Sequence, residues 1–234
     1  MYVILMGPQG SGKGTQAGRL APRLGLVPIA TGDLFRSAIA AESTLGRQIK
    51  AIYDRGELVP DELTVGLVEE KLEEVARKRA LGEGVRGALF DGFPRTQAQA
   101  EALDSLLERQ GEAIAAVVKI DVPFDVLVER LAGRRVCRRC GAVYHVQFNP
   151  PSRDGVCDRC GGEVVQREDD TPAAVRKRLE LYARETEPLI AYYRRRGLVA
   201  DVDGDRPIDE VTDAVVAAVA RLADGVAAPS GARS

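Results

Sequence analysis

The chain has 234 residues, of which 45% are hydrophobic and 29% charged, a composition that predicts a folded globular protein with one sizeable core. Its 33 basic and 35 acidic residues leave a net charge of −2, so composition gives no support for nucleic acid or a membrane surface as a partner. No stretch approaches the ~18 apolar residues of a transmembrane helix, and the apolar start lacks the basic region of a signal peptide. We therefore expect a cytoplasmic protein.

Short apolar runs alternate with helical patterns along the chain. The first run, residues 2–6, predicts a buried strand, and a helix is predicted over residues 16–24. Further strands are predicted at residues 27–30, 88–91, 116–122 and 198–203. Strands separated by helices predict an α/β fold, in which a parallel β-sheet is covered by helices on both faces.

Three later helices carry local signals at their starts. Asp61 is predicted to cap a helix whose apolar residues repeat on one face. Thr171 followed by Pro172 predicts a capped helix with proline at its first position. A last helix is predicted to open at Pro207, with an apolar stripe that begins at Ile208.

Two segments do not fit this alternation and are predicted to be insertions into the α/β core. Residues 31–60 predict two short helices without a strand that would join the sheet. Residues 134–170 contain all four cysteines and the only histidine of the chain. The last ten residues, GVAAPSGARS, are small and polar, and we expect 225–234 to be a disordered tail.

The stretch GPQGSGKGT lies between the first predicted strand and the first predicted helix. It contains Gly7-x4-Gly12-Lys13, the spacing of a phosphate-binding P-loop. Glycines let backbone N–H groups approach phosphate oxygens, and the following helix points its positive end at the same place. Lys13 supplies charge for the β- and γ-phosphates, and Thr15 is placed to reach Mg²⁺. The candidate ATP-phosphate residues are Gly10, Ser11, Gly12, Lys13, Gly14 and Thr15.

The four cysteines form two Cys-x2-Cys pairs, Cys137 with Cys140 and Cys157 with Cys160. This spacing is typical of a zinc ribbon, in which four thiolates complete a closed tetrahedral site. A structural zinc ion would stabilise an insertion that is too small to bury its own core. Two disulfides and four unrelated thiols are the alternatives, and four thiolates also accept iron or cobalt. We expect His145 to be a hydrogen-bonded surface residue rather than a ligand.

Motifs along nearly the whole chain, from Met1 to about Leu222, together resemble the adenylate kinases in their long, zinc-containing bacterial form. Gly14 between Lys13 and Thr15 departs from the general P-loop pattern, but Lys-Gly-Thr is typical of this family. The motifs are, in order, GPQGSGKGTQ, TGDLFR, GELV, DGFPRT, GRRVC, VYHVQFNPP, REDD and VRKRL.

The resemblance implies the reaction ATP + AMP ⇌ 2 ADP with Mg²⁺, in a monomer that binds these three nucleotides and neither nucleic acid nor membrane. It implies a P-loop NTPase-type core with an inserted helical AMP-binding domain and an inserted zinc-binding lid. The implied boundaries are 1–29, 60–132 and 171–223 for the core, 30–59 for the AMP-binding domain and 133–170 for the lid.

Phosphoryl transfer requires alignment and charge neutralisation, for which planar guanidinium groups are suited. The resemblance implies that Thr31 and Gln99 read the adenine of AMP and that Arg130 stacks on the adenine of ATP. Asp91, at the end of a predicted strand, is expected to order water around Mg²⁺. The implied AMP site is Thr31, Arg36, Glu57, Leu58, Val59, Gly92, Phe93, Pro94, Arg95, Gln99, Arg167 and Arg178. The implied ATP site adds Arg130, Arg134, Val143, Tyr144 and Arg206 to the P-loop. The implied catalytic residues are Lys13, Arg95, Arg134, Arg167 and Arg178.

Two other functions stay open at this point. A kinase for UMP, CMP or GMP would share the fold, although Gln99 favours AMP. A zinc-ribbon ATPase that binds nucleic acid is suggested by Arg138, Arg139 and Arg159, but the chain has only 5% aromatic residues for base stacking. Individual arginines are also compatible with surface salt bridges, and we expect Asp169 and Asp170 to pair with arginines of the lid or to cap the next helix.

Overall fold

The structure is a computed structural model that describes residues 1–42, 44–53, 55, 57–166, 170 and 172–227. The strands are β1 (Tyr2–Met6), β2 (Leu26–Ala30), β3 (Gly87–Asp91), β4 (Ile114–Asp121), β5 (Arg134–Cys137), β6 (Val143–His145), β7 (Val164–Val165) and β8 (Val199–Asp203). The helices are α1 (Lys13–Leu24), α2 (Thr31–Ala40), α3 (Thr44–Tyr53), α4 (Asp61–Ala80), α5 (Gln97–Glu108), α6 (Phe124–Ala132), α7 (Pro172–Leu181), α8 (Pro188–Arg194) and α9 (Ile208–Ala227), with a π-helical turn, Tyr182–Thr186, between α7 and α8.

The predicted parallel sheet is confirmed. Its strands lie in the order β2-β3-β1-β4-β8, and every neighbouring pair is parallel. Strand β1 is buried on both faces: Tyr2 and Ile4 belong to one apolar cluster, and Val3 and Leu5 belong to the other. A continuous apolar run therefore reflects a central strand with helices on both sides.

The structure corrects the predicted role of Asp61. Pro60 occupies the N-cap position of α4, and Asp61 is the first helical residue. Its carboxylate instead accepts hydrogen bonds from Thr96 Oγ1 at 2.9 Å and Gln99 Nε2 at 2.7 Å. The prediction was wrong because the carboxylate binds side chains of α5 and the turn before it, partners that local sequence does not reveal.

The other predicted helix starts have different outcomes. Helix α7 begins at Pro172 as predicted, while its expected cap, Thr171, lies outside the described residues. Helix α9 begins at Ile208, which is 40% exposed, so the buried stripe starts only at Val211. Helix α9 also includes 225–227, the first residues of the expected tail; 228–234 lie outside the described residues.

Both insertions are present. Helices α2 and α3 form the first, around a small apolar cluster of Phe35, Ile49 and Val59. The second contains a separate antiparallel sheet in the order β6-β5-β7, beside the cysteines. Within the described part of the chain, no helix combines the length and apolar character needed to cross a membrane.

Candidate active site

The register of two central strands places the site. Leu5 of β1 pairs with Asp91 of β3 in a parallel ladder, so the P-loop after β1 and the DGFPRT turn after β3 emerge at the same edge of the sheet. Ligands of open α/β sheets bind at this edge, beyond the carboxyl ends of the strands.

The backbone of the P-loop has conformations that favour glycine. Gly7, Gly10 and Gly12 have φ values of 144°, 87° and 92°. A Cβ atom on Gly7 would lie 2.6 Å from the carbonyl oxygen of Ile120, so a side chain does not fit there. Helix α1 then begins at Lys13 without a side-chain cap, and its N-terminus faces the turn as an anion site requires.

Lys13 folds back over this loop. Its ammonium group donates hydrogen bonds to the carbonyl oxygens of Gly7 and Pro8, each at 2.7 Å. Burial lowers the pKa of Lys13 to about 8, and the nearby carboxylate of Asp91 acts in the opposite direction. Lys13 is thus a cation held at the turn where the loop would receive phosphates.

Asp91 lies against the start of α1 and fits a magnesium site. A Cβ atom on Gly14 would be 3.4 Å from Asp91 Oδ2, and Thr15 is exposed in the same first helical turn. Burial raises the pKa of the Asp91 carboxyl, an effect that the charge of Lys13 opposes. A hydroxyl and a carboxylate at this point provide the oxygen ligands, direct or through water, that Mg²⁺ prefers.

The DGFPRT turn forms the second side of the site. Its Phe93–Pro94 peptide bond is cis. The carbonyl oxygen of Gly92 accepts hydrogen bonds from Thr31 Oγ1 at 2.9 Å and from Arg95 Nε at 2.8 Å. Gln99 Oε1 accepts from the backbone N–H of Arg95 at 2.8 Å. These bonds hold three residues of the implied AMP site, Thr31, Arg95 and Gln99, beside one another.

Arginines on the other elements are paired with acids. Arg36 pairs with Asp33 within α2. Arg134 Nε donates to Asp170 Oδ2 at 2.8 Å, and Arg178 lies 3.5 Å from Asp170 Oδ1. The expected pairing of Asp170 with arginines is thus confirmed. Asp169 and Arg167, the latter expected in catalysis and AMP binding, lie outside the described residues.

The residues expected around the adenine of ATP come from α6, β6 and the loop between β8 and α9. Arg130 on α6 donates to the carbonyl oxygen of Gly204 at 3.0 Å, and Arg206 pairs with Asp203 at 3.2 Å. Val143 is exposed on β6. Tyr144, the next residue of β6, lines the cleft, and its hydroxyl lies 3.2 Å from Cys157 Sγ in the cysteine cluster.

One cleft of about 1180 Å³ joins these parts. Every expected nucleotide-binding residue that the structure describes lines it, from Gly10 to Arg206. Further residues that were not predicted from the sequence also line the cleft, including Lys177, Tyr182 and Thr186. The position of Lys177 in the cleft could have been predicted, because Lys177 precedes Arg178 in the VRKRL motif. Thr186 has no local sequence signal. Its hydroxyl donates a hydrogen bond to the carbonyl oxygen of Arg95 at 3.1 Å, and the two residues are 91 positions apart in the chain.

The four cysteines are free thiols whose Sγ atoms all lie within 4.8 Å of one another. Cys137 and Cys160 are 3.5 Å apart, and Cys140 and Cys157 are 3.6 Å apart. A tetrahedron with zinc–sulfur bonds of about 2.3 Å has edges of about 3.8 Å, so the cluster fits zinc and the disulfide alternative is wrong.

The thiols of the cluster differ in acidity. The surroundings of Cys157 favour its thiolate, whereas at Cys160 the backbone N–H of Gly162, which lowers the pKa, is outweighed by hydrogen bonds with the other thiols, which raise the pKa of Cys160 to about 12. The hydroxyl of Tyr144 lies 3.2 Å from Cys157 Sγ, and its hydrogen bond lowers the pKa of Cys157 to about 6. A metal ligand has to be deprotonated, and such an outer hydrogen bond orients it. His145 is hydrogen-bonded, as expected, but half-buried: its Nδ1 accepts N–H groups of Gln147 and Phe148.

One cleft thus contains a phosphate loop, a carboxylate beside the loop and basic side chains from other elements. These are the features of a P-loop phosphotransferase. Comparison with known proteins specifies the family, because residues 5–198 match the sequence profile described as "Adenylate kinase". The chain belongs to the adenylate kinase family and is a phosphotransferase.

Individual relatives cover almost the whole chain. The adenylate kinase of Moorella thermoacetica is 52% identical over 94% of this chain and 99% of its own length. That of Symbiobacterium thermophilum is 49% identical over 94% and 98%, and that of Carboxydothermus hydrogenoformans is 48% identical over 90% and 95%.

Proposed function

We propose that this protein catalyses the reversible, Mg²⁺-dependent transfer of the terminal phosphoryl group of ATP to AMP, giving two ADP, in adenine nucleotide homeostasis. The observation that carries the proposal is the continuous cleft between the P-loop and the DGFPRT turn, because phosphoryl transfer requires both nucleotides in one space. We further propose that the enzyme acts as a cytoplasmic monomer.

The donor side of the cleft binds ATP. Backbone N–H groups from Gly10 to Thr15 hold the phosphates, with Lys13 as the charge on the β- and γ-phosphates. Arg130 stacks on the adenine base. Its hydrogen bond to the carbonyl oxygen of Gly204 holds the guanidinium group in place for this contact. Val143, Tyr144 and the backbone at Arg206 complete this pocket.

The acceptor side binds AMP. Arg36 and Arg95 bind its phosphate, Thr31 and Gln99 contact its base, and residues 57–59 flank it. Support comes from the hydrogen bonds that join Thr31 and Arg95 through Gly92. Gly92 itself has φ 74°, and a Cβ atom there would lie 3.0 Å from Arg95 Nη2, so glycine lets the guanidinium group lie close to this turn.

Five basic residues neutralise the negative charge of the transferred phosphoryl group: Lys13, Arg95, Arg134, Arg167 and Arg178. Thr15 and, through water, Asp91 would hold Mg²⁺, which supplies positive charge to the phosphates. Cys137, Cys140, Cys157 and Cys160 would hold a structural zinc ion that stabilises the lid. The domain boundaries that we propose are those of the sequence analysis, 30–59 for AMP binding and 133–170 for the lid.

A coupled assay of ADP formation tests the proposal. Purified protein with ATP and Mg²⁺ should form ADP when AMP is added, and far more slowly with UMP, CMP or GMP. Lys13→Met should lower turnover by orders of magnitude while the circular-dichroism spectrum stays unchanged. A clear preference for another monophosphate, or near-normal turnover of the Lys13→Met variant, would refute the proposal.

A further inference from the structure

The side-chain amide of Gln99 is held between two partners of opposite chemistry. On one side its Oε1 accepts the backbone N–H of Arg95 at 2.8 Å, and on the other its Nε2 donates to Asp61 Oδ1 at 2.7 Å. A backbone N–H can only donate, and an ionised carboxylate can only accept. The two partners therefore select the same orientation of the amide, with its oxygen towards Arg95 and its nitrogen towards Asp61.

Asp61 is itself held in place. Its second oxygen, Oδ2, accepts the hydroxyl of Thr96 at 2.9 Å, while the oxygen of that hydroxyl accepts the N–H of Gln99 at 3.2 Å as the cap of α5. Gln99 is buried and lines the cleft, whereas Asp61 is not among the described residues that line it. Asp61 thus lies behind Gln99 and acts on a ligand only through it.

The fixed amide keeps one N–H donor and one oxygen lone pair for a ligand, in a set order. The edge of adenine presents a donor, the 6-amino group, beside an acceptor, N1. The edge of hypoxanthine or guanine presents the reverse, an acceptor O6 beside a donor N1–H. An amide without these partners can rotate by half a turn and match either edge. If the amide of Gln99 rotated in this way, its NH₂ group would face the N–H of Arg95 and its oxygen would face the carboxylate of Asp61, so both hydrogen bonds would be replaced by repulsive contacts.

We propose that Asp61 is a specificity-determining positioning residue, which fixes the amide of Gln99 so that the acceptor site takes 6-aminopurine and rejects 6-oxopurine monophosphates. The inference rests on the proposed function, in which Gln99 contacts the acceptor base. It adds a residue that touches no substrate and a physical reason for the choice of base.

The test compares kcat/KM for AMP and for inosine monophosphate, which differ at the 6-position and at N1. In Asp61→Asn the side chain can present either an oxygen or an NH₂ group to Gln99, so only the N–H of Arg95 still resists rotation of the amide. The ratio of the two kcat/KM values should fall about tenfold, the effect of losing one hydrogen bond of ordinary strength. Because it is a ratio, it does not depend on the folded fraction of the sample.

Glu62→Gln is the matched control. It removes one negative charge from the same first turn of α4, where Glu62 is exposed, and should leave the ratio unchanged. If Asp61→Asn does not fold, Asp61→Ser gives the same expectation, because it removes the carboxylate that accepts from Gln99 Nε2. An unchanged ratio of the two kcat/KM values in an Asp61 variant that turns over AMP would overturn the inference. A fall of this ratio in Glu62→Gln as large as that in the Asp61 variant would overturn it as well. Absence of AMP-dependent turnover in the wild-type protein would instead overturn the proposed function.

Discussion

Arg134 donates a hydrogen bond from Nε to Asp170 over 2.8 Å, and the carboxylate that receives it is fully shielded from solvent. The same carboxylate lies 3.5 Å from Arg178. Two guanidinium groups to which we assign phosphate binding therefore share one internal anion. A bound polyphosphate would supply negative charge to the same two groups.

Replacing Asp170 by Asn should lower the free energy of unfolding by about 3 kcal/mol, because two largely buried cations lose their counter-charge. Urea unfolding without nucleotide measures this loss. The difference from wild type should shrink when a saturating bisubstrate dinucleotide is present. Glu163→Gln, which removes an exposed lid carboxylate paired with Arg138, should cost less than about 1 kcal/mol. An equal loss for Asp170→Asn with and without the dinucleotide would contradict this account.

The lowered pKa of Lys13, about 8, predicts a dependence on pH. Phosphate binding needs the protonated ammonium group, so kcat/KM for ATP, which reports the free enzyme, should fall as pH rises through about 8. The charged groups that act on Lys13 are Asp91, Arg95, Arg134 and Arg178. Lys13→Arg should show lower activity but lose this descending limb, because a guanidinium group stays charged. An unchanged limb in Lys13→Arg would assign it to another group.

The same shift has a consequence for stability. Between about pH 8 and 10.5 the unfolded chain keeps the proton on Lys13 while the folded chain has lost it. Since the unfolded state then binds more protons, this group makes stability rise with pH across that window. Urea unfolding at several pH values should show a smaller rise in Lys13→Met, which has no proton to lose. The same rise in wild type and Lys13→Met would contradict this origin.

The sequence predicts a part of the site well when all residues of the motif lie in one short stretch of the chain. The spacing from Gly7 to Lys13 predicts the loop, because strand, turn and helix are consecutive and the glycines at positions 7, 10 and 12 all have positive φ values. The two Cys-x2-Cys pairs likewise predict the cluster that the structure forms.

Sequence reasoning failed where a side chain has a choice between a local and a distant partner. Asp61 has the position of a helix cap, but its carboxylate binds Thr96 and Gln99, 35 and 38 residues away. Thr186, the last residue of the π-helical turn, donates its hydroxyl to the backbone carbonyl oxygen of Arg95, 91 residues earlier in the chain. Such contacts depend on how helices pack on the sheet, and no periodicity in the sequence encodes them.

Removal of one zinc ligand should affect stability more than chemistry. Cys137→Ser should release the metal and lower the melting temperature by about 5 °C or more, with a smaller change in turnover, because the ion is proposed to hold the lid and not to react. Metal analysis and thermal unfolding of one sample measure both. Tyr144→Phe keeps four thiolates but removes the hydrogen bond to Cys157, so it should retain zinc with affinity reduced about 10- to 100-fold. Full metal content in Cys137→Ser would exclude the four-thiolate site.

Gly46 lets α2 and α3 approach closely, and this contact provides a test of the first insertion. A Cβ atom at Gly46 would lie 2.0 Å from the carbonyl oxygen of Ala38, so in Gly46→Ala the two backbones have to separate. Helix α2 carries Thr31 and Arg36, and we expect KM for AMP to rise about fivefold or more while KM for ATP changes little. Overpacking of this kind should also lower the free energy of unfolding by about 1–3 kcal/mol.

Gly66→Ala is the control for this substitution. Gly66 lies inside α4, and a Cβ atom there meets no described atom within 4 Å. Alanine should therefore stabilise the protein by about 0.5–1 kcal/mol, through its higher helix propensity, and leave both KM values unchanged. Initial rates with each nucleotide varied in turn separate the two effects. If Gly46→Ala raised both KM values equally, the first insertion would not serve AMP alone, and its assignment as the AMP-binding domain would fail.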